Sequence, residues 1–451
     1  MSGSFRLCCY LLLSSASFVS GQAVKPLAAT PPMGWNSWDS YGLSVTQNEF
    51  EANATYMSDN LRGHGWQYAV VDEGWFLQNP EGKAGTFRYT MDTYGRLTPA
   101  VNRFPLAAGD AGFRKLADWA HTRGLFFGIH IIRGIPREAV NKNLPIAGSR
   151  YHAAEAANKN DTCKWNSDNY GIATNAAGQA YYGSIAALYA SWGVDFVKID
   201  CISSPYLGNE IRMFSEALRK TNRPIVLSLS PGPTPVDKIA ELRKYAQMWR
   251  ISGDVWDHWR LWPGQDWSQG VLGQFALAAK WAPLVEPGHW PDADMLPLGH
   301  LGPRPGQGKA RESTLTQDEA RTLMTLWCMF RSPLVMGGNL TQIDNATRGL
   351  LTNDEVIKVD QHSSGSREVL NEAQKIVWVS RADAPRGTAY VALFNVADAP
   401  QAIEYPLQSL GLSSVSFAIR DLWERKDLPV ADRVRIILRP HAAALFRVSA
   451  K

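Results

Sequence analysis

The sequence predicts an α/β fold: a (β/α)8 TIM barrel followed by a small antiparallel β domain. Three observations point to it. Eight short apolar segments alternate with longer helix-period segments, several apolar segments end in an acidic residue, and beyond about residue 364 only short strand-like runs continue. The 451 residues are enough for a barrel of about 250 residues or more plus a smaller domain.

Short apolar runs bounded by turn residues are typical of buried strands, whereas apolar positions three and four residues apart are typical of helices. Barrel strands are predicted at residues 33–38, 68–71, 125–132, 194–200, 224–230, 247–252, near 284 and at 332–336. Helices are predicted between them at residues 47–62, 111–123, 179–192, 210–221, 236–246, 271–279 and 317–330.

Two regions depart from this alternation. Residues 133–177 form a long, irregular stretch after the third strand, and such an excursion on the active-site face of a barrel is usually functional. Later, strands are predicted at residues 375–380, 388–395, 415–419, 434–438 and 443–448, which suits an antiparallel domain. The predicted domains are therefore a barrel over residues 24–362 and a C-terminal domain over residues 366–451.

The N-terminus has the pattern of a secretory signal peptide. Arg6 precedes an apolar run over residues 7–19, and small residues suited to cleavage follow. We expect residues 1–23 to be a signal and the protein to be secreted, into an extracellular or periplasmic space; an uncleaved anchor is the alternative. No other segment approaches about 20 apolar residues, so no membrane partner is expected.

Charge and cysteine content exclude several other functions. The net charge is only +4 and basic residues form no runs, so no nucleic-acid partner is expected. Outside the leader, Cys163 and Cys201 could form one disulfide in an oxidising compartment, while Cys328 lies in an apolar run and is expected to be a buried thiol. The sequence has neither zinc-ligand spacing nor a phosphate loop, so we expect no metal and no cofactor.

Acidic residues mark the ends of several predicted strands. Asp72 and Glu73 end the second strand, Asp200 ends the fourth, Asp254 follows the sixth, and Asp294 lies in a later segment of the same kind. The carboxyl ends of barrel strands meet at one face, where active sites form. Paired carboxylates at that face indicate glycoside hydrolysis, in which one acid is ionised and the other carries a proton for the leaving oxygen.

The neighbours of two aspartates suggest how these tasks are divided. Lys198 lies on the same strand face as Asp200 and would favour the ionised form that a nucleophile needs. Asp254 lies four residues after Arg250, and nearby apolar side chains would favour the protonated form of a general acid. These are Trp249, Trp256 and Trp259. Asp257 remains a competing candidate.

At these residues the chain resembles glycoside hydrolase family 27, which contains α-galactosidases, α-N-acetylgalactosaminidases and β-L-arabinopyranosidases. The matching motifs are Pro-Pro-Met-Gly-Trp-Asn-Ser-Trp at residues 31–38, Trp-Gly-Val-Asp-x-x-Lys-x-Asp ending at Asp200, and Asp-Ala-Asp-Met at residues 292–295. The resemblance implies a (β/α)8 barrel with a C-terminal β-sandwich, and hydrolysis with retention at the anomeric carbon.

The resemblance also implies roles for single residues. Asp200 corresponds to the nucleophile and Asp254 to the acid/base, while Trp38 corresponds to the platform beneath the sugar ring. The other matching positions correspond to sugar ligands: Asp72 and Glu73 near O4 and O6, Lys198 at neighbouring hydroxyls, and Arg250 and Asp294 on the O2 side.

The sequence departs from the family's α-galactosidases in three respects. Glu73 stands where the α-galactosidases have Asp, and the family's β-L-arabinopyranosidases resemble this sequence in having Glu there. The extra methylene moves the carboxylate by roughly 1.5 Å toward the C6 hydroxymethyl of galactose. Ser230 and Gly232 replace bulkier residues beneath O2, which suggests room for an N-acetyl group. His130 replaces a Tyr among the substrate-binding positions.

The expected reaction is the removal of terminal α-D-galactosyl residues from oligo- or polysaccharides, with a β-L-arabinopyranoside as the alternative substrate and an N-acetylgalactosaminide as a weaker one. A different class, a catalytically inactive carbohydrate-binding barrel, would have lost one of the two acids. A metal-dependent hydrolase would need His and Asp clusters on the strand ends, where only His130 lies.

Overall fold

The computed structural model describes residues 26–83, 85–261, 270–302 and 309–451. The expected signal peptide, residues 1–23, lies outside these ranges. Across the described residues, no helix combines the length and the apolar character needed to cross a bilayer.

Eight parallel strands form the first domain. They are β1 (Met33–Asn36), β2 (Tyr68–Val71), β3 (Phe126–Ile132), β4 (Phe196–Asp200), β5 (Val226–Leu229), β6 (Met248–Arg250), β7 (Trp290–Asp292) and β8 (Leu334–Met336). Their order in the sheet is β7-β6-β5-β4-β3-β2-β1-β8. A parallel bridge between Leu296 and Met336 joins the segment after β7 to β8 and closes the barrel. The predicted barrel is therefore confirmed.

Helices cover the outside of this barrel and pack their apolar faces against it. The α-helices of the domain are Trp38–Tyr41, Gln47–Asn60, Arg114–Thr122, Arg137–Asn141, Ala153–Ala156, Ala176–Ser191, Gly208–Lys220, Ile239–Tyr245, Val271–Trp281, Gln317–Phe330, Asn345–Leu351 and Asp354–Gln361. Helix Gln317–Phe330 begins at a capping box in which Thr316 and Glu319 satisfy each other's backbone N–H groups.

Side chains fill the barrel in layers because every second residue of a strand faces inward. One layer is an apolar cluster of Val70, Phe196, Val226, Met248 and Trp290. Two residues further along the same strands the inward positions become polar: Asp72, Lys198, Ser228, Arg250 and Asp292. The apolar layer thus forms the floor on which the polar side chains stand.

The prediction of the seventh strand was wrong. Leu284 lies in a short 3-10 helix, Ala282–Leu284, and the strand is β7, whose residues pair with Met248, Trp249 and Arg250. The apolar run around Leu284 misled the prediction because β7 itself contains a proline and an aspartate.

The excursion of residues 133–177 is more ordered than predicted. It contains a three-stranded sheet made of Ile135–Pro136, Ala157–Thr162 and Asn169–Ile172, with the last strand in the centre. Another small antiparallel pair, His300–Leu301 with Arg311–Glu312, follows β7.

The C-terminal domain is a sandwich of two antiparallel sheets, as the resemblance implied. Its strands are β9 (Ser363–Glu372), β10 (Lys375–Ala382), β11 (Thr388–Asn395), β12 (Gln401–Pro406), β13 (Phe417–Asp421), β14 (Lys426–Ala431), β15 (Arg433–Leu438) and β16 (Ala443–Ala450). The larger sheet has the order β9-β10-β11-β16-β13-β14, and β12 pairs with β15. The sequence missed β9, β12 and β14, which expose many polar side chains.

Candidate active site

A buried histidine joins two of the strand-end aspartates. His130 Nδ1 lies 3.2 Å from Asp72 Oδ1, and His130 Nε2 lies 3.3 Å from Asp200 Oδ2. The three residues come from neighbouring strands β2, β3 and β4, in which His130 pairs with Lys198. The sequence thus placed these acids on one face correctly, and His130 lies between them.

Asp72 is held by further donors. Asn36 Nδ2 donates to Asp72 Oδ2 at 2.7 Å, and Lys198 Nζ lies 3.4 Å from the same oxygen. The backbone N–H of Glu73 donates to Asp72 Oδ1 at 2.8 Å. Burial raises the pKa of Asp72, but the charges of His130 and Lys198 outweigh burial and keep the pKa well below its ordinary range.

The same charges determine the state of Asp200. Burial raises the pKa of Asp200, but His130 and Lys198 outweigh it and the net shift is downward. In turn, burial lowers the pKa of His130, while Asp72 and Asp200 raise it to about 9. At neutral pH the site therefore holds an imidazolium between two carboxylates, and Asp200 has the charge that a nucleophile needs.

Glu73 follows Asp72 and has a different partner. Asn166 Nδ2 donates to Glu73 Oε1 at 2.7 Å from the excursion after β3. Burial, together with the negative charges of Asp200, Asp72 and Asp168, raises the pKa of Glu73 to about 8 against the opposing charge of His130. The Glu73 carboxyl group is thus neutral over much of the pH range in which Asp72 and Asp200 are ionised.

A second group of polar residues surrounds Arg250. Arg250 Nη2 lies 3.1 Å from Asp254 Oδ1, and Arg250 Nη1 lies 2.7 Å from Asp294 Oδ1. The N–H of Val255 donates to Asp294 Oδ2 at 2.7 Å. Burial raises the pKa of Asp294 to about 7 although Arg250 opposes the shift.

The surroundings of Asp254 differ from the expected apolar pocket. Its side chain is 37 % exposed and pairs with Arg250. Trp249 packs against Trp281, and Trp259 stacks on His441 of the C-terminal domain. Asp254 therefore does not lie in the apolar pocket expected from the sequence, and the rings of Trp249 and Trp259 pack against other partners.

The structure distinguishes Asp254 from its competitor. Asp257 is 3 % exposed and forms an ion pair with Arg311, whose Nε donates to Asp257 Oδ2 at 3.0 Å. The N–H of Thr314 donates to the same oxygen at 2.9 Å. Burial raises the pKa of Asp257, but Arg311 and Thr314 outweigh it and lower the pKa. These contacts indicate that Asp257 anchors its loop.

Lys198 connects the two polar groups. It lies 3.4 Å from Asp72 Oδ2, and it lines one cavity together with Asp292 and Asp294. Burial lowers the pKa of Lys198, whereas Asp72, Asp294 and Asp200 raise it above its ordinary value. Lys198 thus contacts Asp72 directly, and the charges of Asp294 and Arg250 also act on it.

The backbone N–H groups of Trp38 and Ser230 form hydrogen bonds at the strand ends that carry the site. The N–H of Trp38 donates to Asn36 Oδ1 at 2.8 Å, so the motif that carries Trp38 also supports Asp72 through Asn36. Ser230 follows β5, where its N–H donates to the carbonyl of Ile199 at 2.9 Å. Both side chains stay predicted substrate contacts.

Gly232 does not leave the space that its lack of a side chain suggested. A Cβ atom on Gly232 would lie 2.5 Å from the backbone N and O of Ser252 and 2.7 Å from the carbonyl O of Arg250. The glycine is required by the close approach of the two loops.

A disulfide attaches the excursion to the end of strand β4, which carries Asp200. Cys163 and Cys201 are bonded with an S–S distance of 2.21 Å, and Cys201 directly follows Asp200. This confirms the pairing considered from the sequence. Cys328 is a free, buried thiol, also as predicted. Sequence reasoning missed Asn36, which lies in the motif that contains Trp38, and Asn166, which lies in the excursion that was expected to be functional.

Comparisons with known proteins agree with this geometry. A family model described as alpha galactosidase A matches residues 166–362, and a model of the alpha galactosidase C-terminal beta sandwich domain matches residues 372–448. A crystal structure of a GH27 β-L-arabinopyranosidase from Geobacillus stearothermophilus is 45% identical, covers 94% of this chain and 98% of its own, and has a TM-score of 0.88. The chain belongs to glycoside hydrolase family 27.

Other relatives of this family 27 enzyme differ in their named substrates. A Bacillus halodurans protein, provisionally named an α-N-acetylgalactosaminidase, is 40% identical, with coverage of 94% of this chain and 98% of its own and a TM-score of 0.81. Alpha-galactosidase 2 of Arabidopsis thaliana is 26% identical over 94% of this chain and 90% of that protein. The family 27 chain is therefore a glycoside hydrolase.

Proposed function

We propose that this family 27 glycoside hydrolase removes terminal β-L-arabinopyranosyl residues with retention of configuration. β-L-Arabinopyranose has the ring of α-D-galactose without the C6 hydroxymethyl group. One observation carries this choice: Glu73, a residue longer than aspartate, is fixed by Asn166 beside Asp72 at the strand end. Its extra methylene places a carboxyl group roughly 1.5 Å further than aspartate would, where C6 of a hexose needs room.

The double displacement is assigned to the two aspartates. Asp200 attacks the anomeric carbon, because its ionised form is favoured by His130 and Lys198. Asp254 protonates the leaving oxygen and then activates water. Its partly exposed side chain can exchange protons with solvent, and Arg250 orients it at 3.1 Å. The remaining predicted ligands bind the sugar hydroxyls: Asp72, His130, Lys198, Ser230, Arg250 and Asp294, with Trp38 under the ring.

The similarity to the Geobacillus β-L-arabinopyranosidase, 45% identical over nearly the whole of both chains, supports the pentose. Hydrolysis of α-D-galactosides, the reaction first expected from the sequence, is the second candidate, because the matching family models and many relatives are named for it. An N-acetylgalactosaminide has less support, since Gly232 packs against the backbone of the next loop.

The substrate assignment is tested with nitrophenyl glycosides. We expect kcat/KM for 4-nitrophenyl β-L-arabinopyranoside to exceed that for 4-nitrophenyl α-D-galactopyranoside. Glu73→Asp should shift this ratio toward the galactoside by between about 10- and 200-fold, the usual value of one methylene in a fitted pocket. If the galactoside is the better substrate and Glu73→Asp leaves the ratio unchanged, the enzyme is an α-galactosidase instead.

We also propose that the protein acts outside the cytoplasm, on arabinopyranosyl ends of oligo- or polysaccharides. The leader-like residues 1–23 support export. N-terminal sequencing of protein recovered from the producing cells is expected to begin near residues 22–24. A chain that retains residue 2 would contradict cleavage.

A further inference from the structure

Asn166 contacts Glu73 although 93 residues separate them. Asn166 Nδ2 lies 2.7 Å from Glu73 Oε1, and this donor comes from the excursion of residues 133–177. A glutamate side chain has several rotatable bonds, so its carboxyl group occupies one position only where the surroundings fix it. The contact therefore bears directly on whether Glu73 can exclude the C6 group of a hexose.

Asn166 is itself held in place by polar contacts. The N–H of Asp168 donates to Asn166 Oδ1 at 2.8 Å, which orients the amide so that its Nδ2 group points at Glu73. The Tyr89 hydroxyl donates to Asp168, and the N–H of Arg137 donates to the Asp168 carbonyl at 3.0 Å. A chain of contacts thus runs from Tyr89 through Asp168 and Asn166 to Glu73.

The excursion around Asn166 is anchored on both sides. Three residues before it, Cys163 is bonded to Cys201, which directly follows Asp200. Three residues after it begins the central strand Asn169–Ile172 of the small sheet. Asn169 Nδ2 also donates to the carbonyl of Arg133 at 2.9 Å, at the end of β3. The position of the Asn166 amide is therefore set relative to the nucleophile strand.

We propose that Asn166 is a specificity-positioning residue: it holds the Glu73 carboxyl group where that group excludes the C6 hydroxymethyl of a hexose. The inference rests on the proposed function and deepens it. Without Asn166, the Glu73 side chain can rotate away, and the space that it fills opens. A pentose gains nothing from that space, while a galactoside gains access to it, so selectivity falls without loss of the reaction.

A double-mutant cycle over Glu73 and Asn166 tests this proposal. The four proteins are wild type, Asn166→Ala, Glu73→Asp and the double variant, each assayed for kcat/KM on the two nitrophenyl glycosides named above. Asn166→Ala is expected to lower the arabinoside-to-galactoside ratio about tenfold, chiefly through the galactoside. In the Glu73→Asp background the same change should have little effect, because the longer side chain that it positions is absent.

Asn160→Ala is the matched control, since Asn160 is an exposed asparagine of the same excursion, and it should leave the ratio unchanged. If Asn166→Ala does not fold, Asn166→Leu takes its place: it keeps a similar side-chain volume, has neither a donor nor an acceptor for the Glu73 carboxyl group, and should lower the ratio likewise. An unchanged ratio in the folded variant, or an equal change with Asp at position 73, overturns the proposal.

Failure of the proposed function is separable from this outcome. The wild-type ratio and the effect of Glu73→Asp alone decide which sugar is preferred. The effect of Asn166→Ala is measured once with Glu and once with Asp at position 73. The difference between these two effects decides whether Asn166 acts through Glu73, whichever sugar the enzyme prefers.

Discussion

The two proposed catalytic aspartates are built into the molecule in opposite ways. Asp200 ends strand β4, contacts His130, and is followed by a disulfide-bonded cysteine. Asp254 lies in a loop beyond β6, is 37 % exposed, and pairs with one cation, Arg250. A nucleophile needs a fixed charge, whereas an acid/base must take protons from water and return them. The difference follows the two tasks.

The contacts that hold Asp200 and those that hold the Asp254 loop also come from different parts of the molecule. Around Asp200 the supporting side chains come from neighbouring strands of one sheet. The Asp254 loop is instead held from outside the barrel: Arg311 of a short antiparallel pair binds Asp257, and His441 of the C-terminal domain stacks on Trp259 with ring centroids 4.3 Å apart. The C-terminal domain therefore helps to hold the loop that carries Asp254.

The largest loss of activity is expected when Asp200, the proposed nucleophile, is replaced. Asp200→Asn removes the attacking carboxylate and should lower kcat/KM by roughly 10⁴-fold or more, as loss of a nucleophile does in other enzymes. The variant should stay folded, which circular dichroism checks. Activity near the wild-type level would mean that another group attacks the anomeric carbon, and the contrast between the two sides would lose its basis.

The next effect separates Asp254 from Asp257. Asp254→Asn should lower kcat/KM by about 10²–10⁴-fold, the usual contribution of a general acid/base. Asp257→Asn is the matched control: it weakens the ion pair with Arg311 and should lower the melting temperature more than the rate. The opposite result, with activity dependent on Asp257 and insensitive to Asp254, would reassign the acid/base.

His130 should make the nucleophile side sensitive to alkaline pH. Its pKa of about 9 in the folded protein exceeds its ordinary value of 6.5. The stabilisation from its contacts with Asp72 and Asp200 is thus complete below pH 6.5 and is lost as the pH rises toward 9. At about 1.4 kcal/mol per pKa unit the loss is roughly 3 kcal/mol.

His130→Gln has no charge to lose, so its free energy of unfolding should fall less than that of the wild type between pH 6.5 and 9. Glu73, whose pKa of about 8 exceeds its ordinary value of 4.5, also destabilises the fold as the pH rises, and its loss overlaps that of His130 between pH 6.5 and 8. Denaturation curves of Glu73→Gln and His130→Gln, compared at both pH values, separate the two groups. Identical curves for His130→Gln and the wild type would contradict a charged His130.

Much of the fold could be predicted from the sequence, because its signals are local. The predicted helix 317–330 agrees with the structure at both ends, and it begins at the capping box of Thr316 and Glu319. The strand Tyr68–Val71 also agrees, since a buried apolar run directly precedes Asp72. The seventh strand failed because apolar content near Leu284 exceeded that of the real strand.

The acids of the candidate site could be predicted from the sequence pattern because they end or closely follow strands, and its other ligands came from the resemblance to family motifs. Asp72 and Asp200 could be found in this way, whereas the partners that distinguish similar acids lie far away in the sequence. Asn166 is 93 residues from Glu73, and Arg311 is 54 residues from Asp257. Such contacts depend on how loops fold back over the barrel, which no local pattern records.

The smallest effect is expected at His441, the remote support of the acid/base side. His441 stacks on Trp259 and lies 2.7 Å from Glu319 and 2.8 Å from Asp398. An aromatic contact of this kind contributes about 0.5–1.5 kcal/mol. We therefore expect His441→Ala to lower kcat/KM less than tenfold, because Asp254 can still reach its position when the loop is held less firmly. Arg439→Ala, which removes an exposed ion pair with Asp318 in the same segment, should leave the rate unchanged. Equal losses in both variants would mean that the stacking does not position the loop, and the C-terminal domain would then act on stability alone.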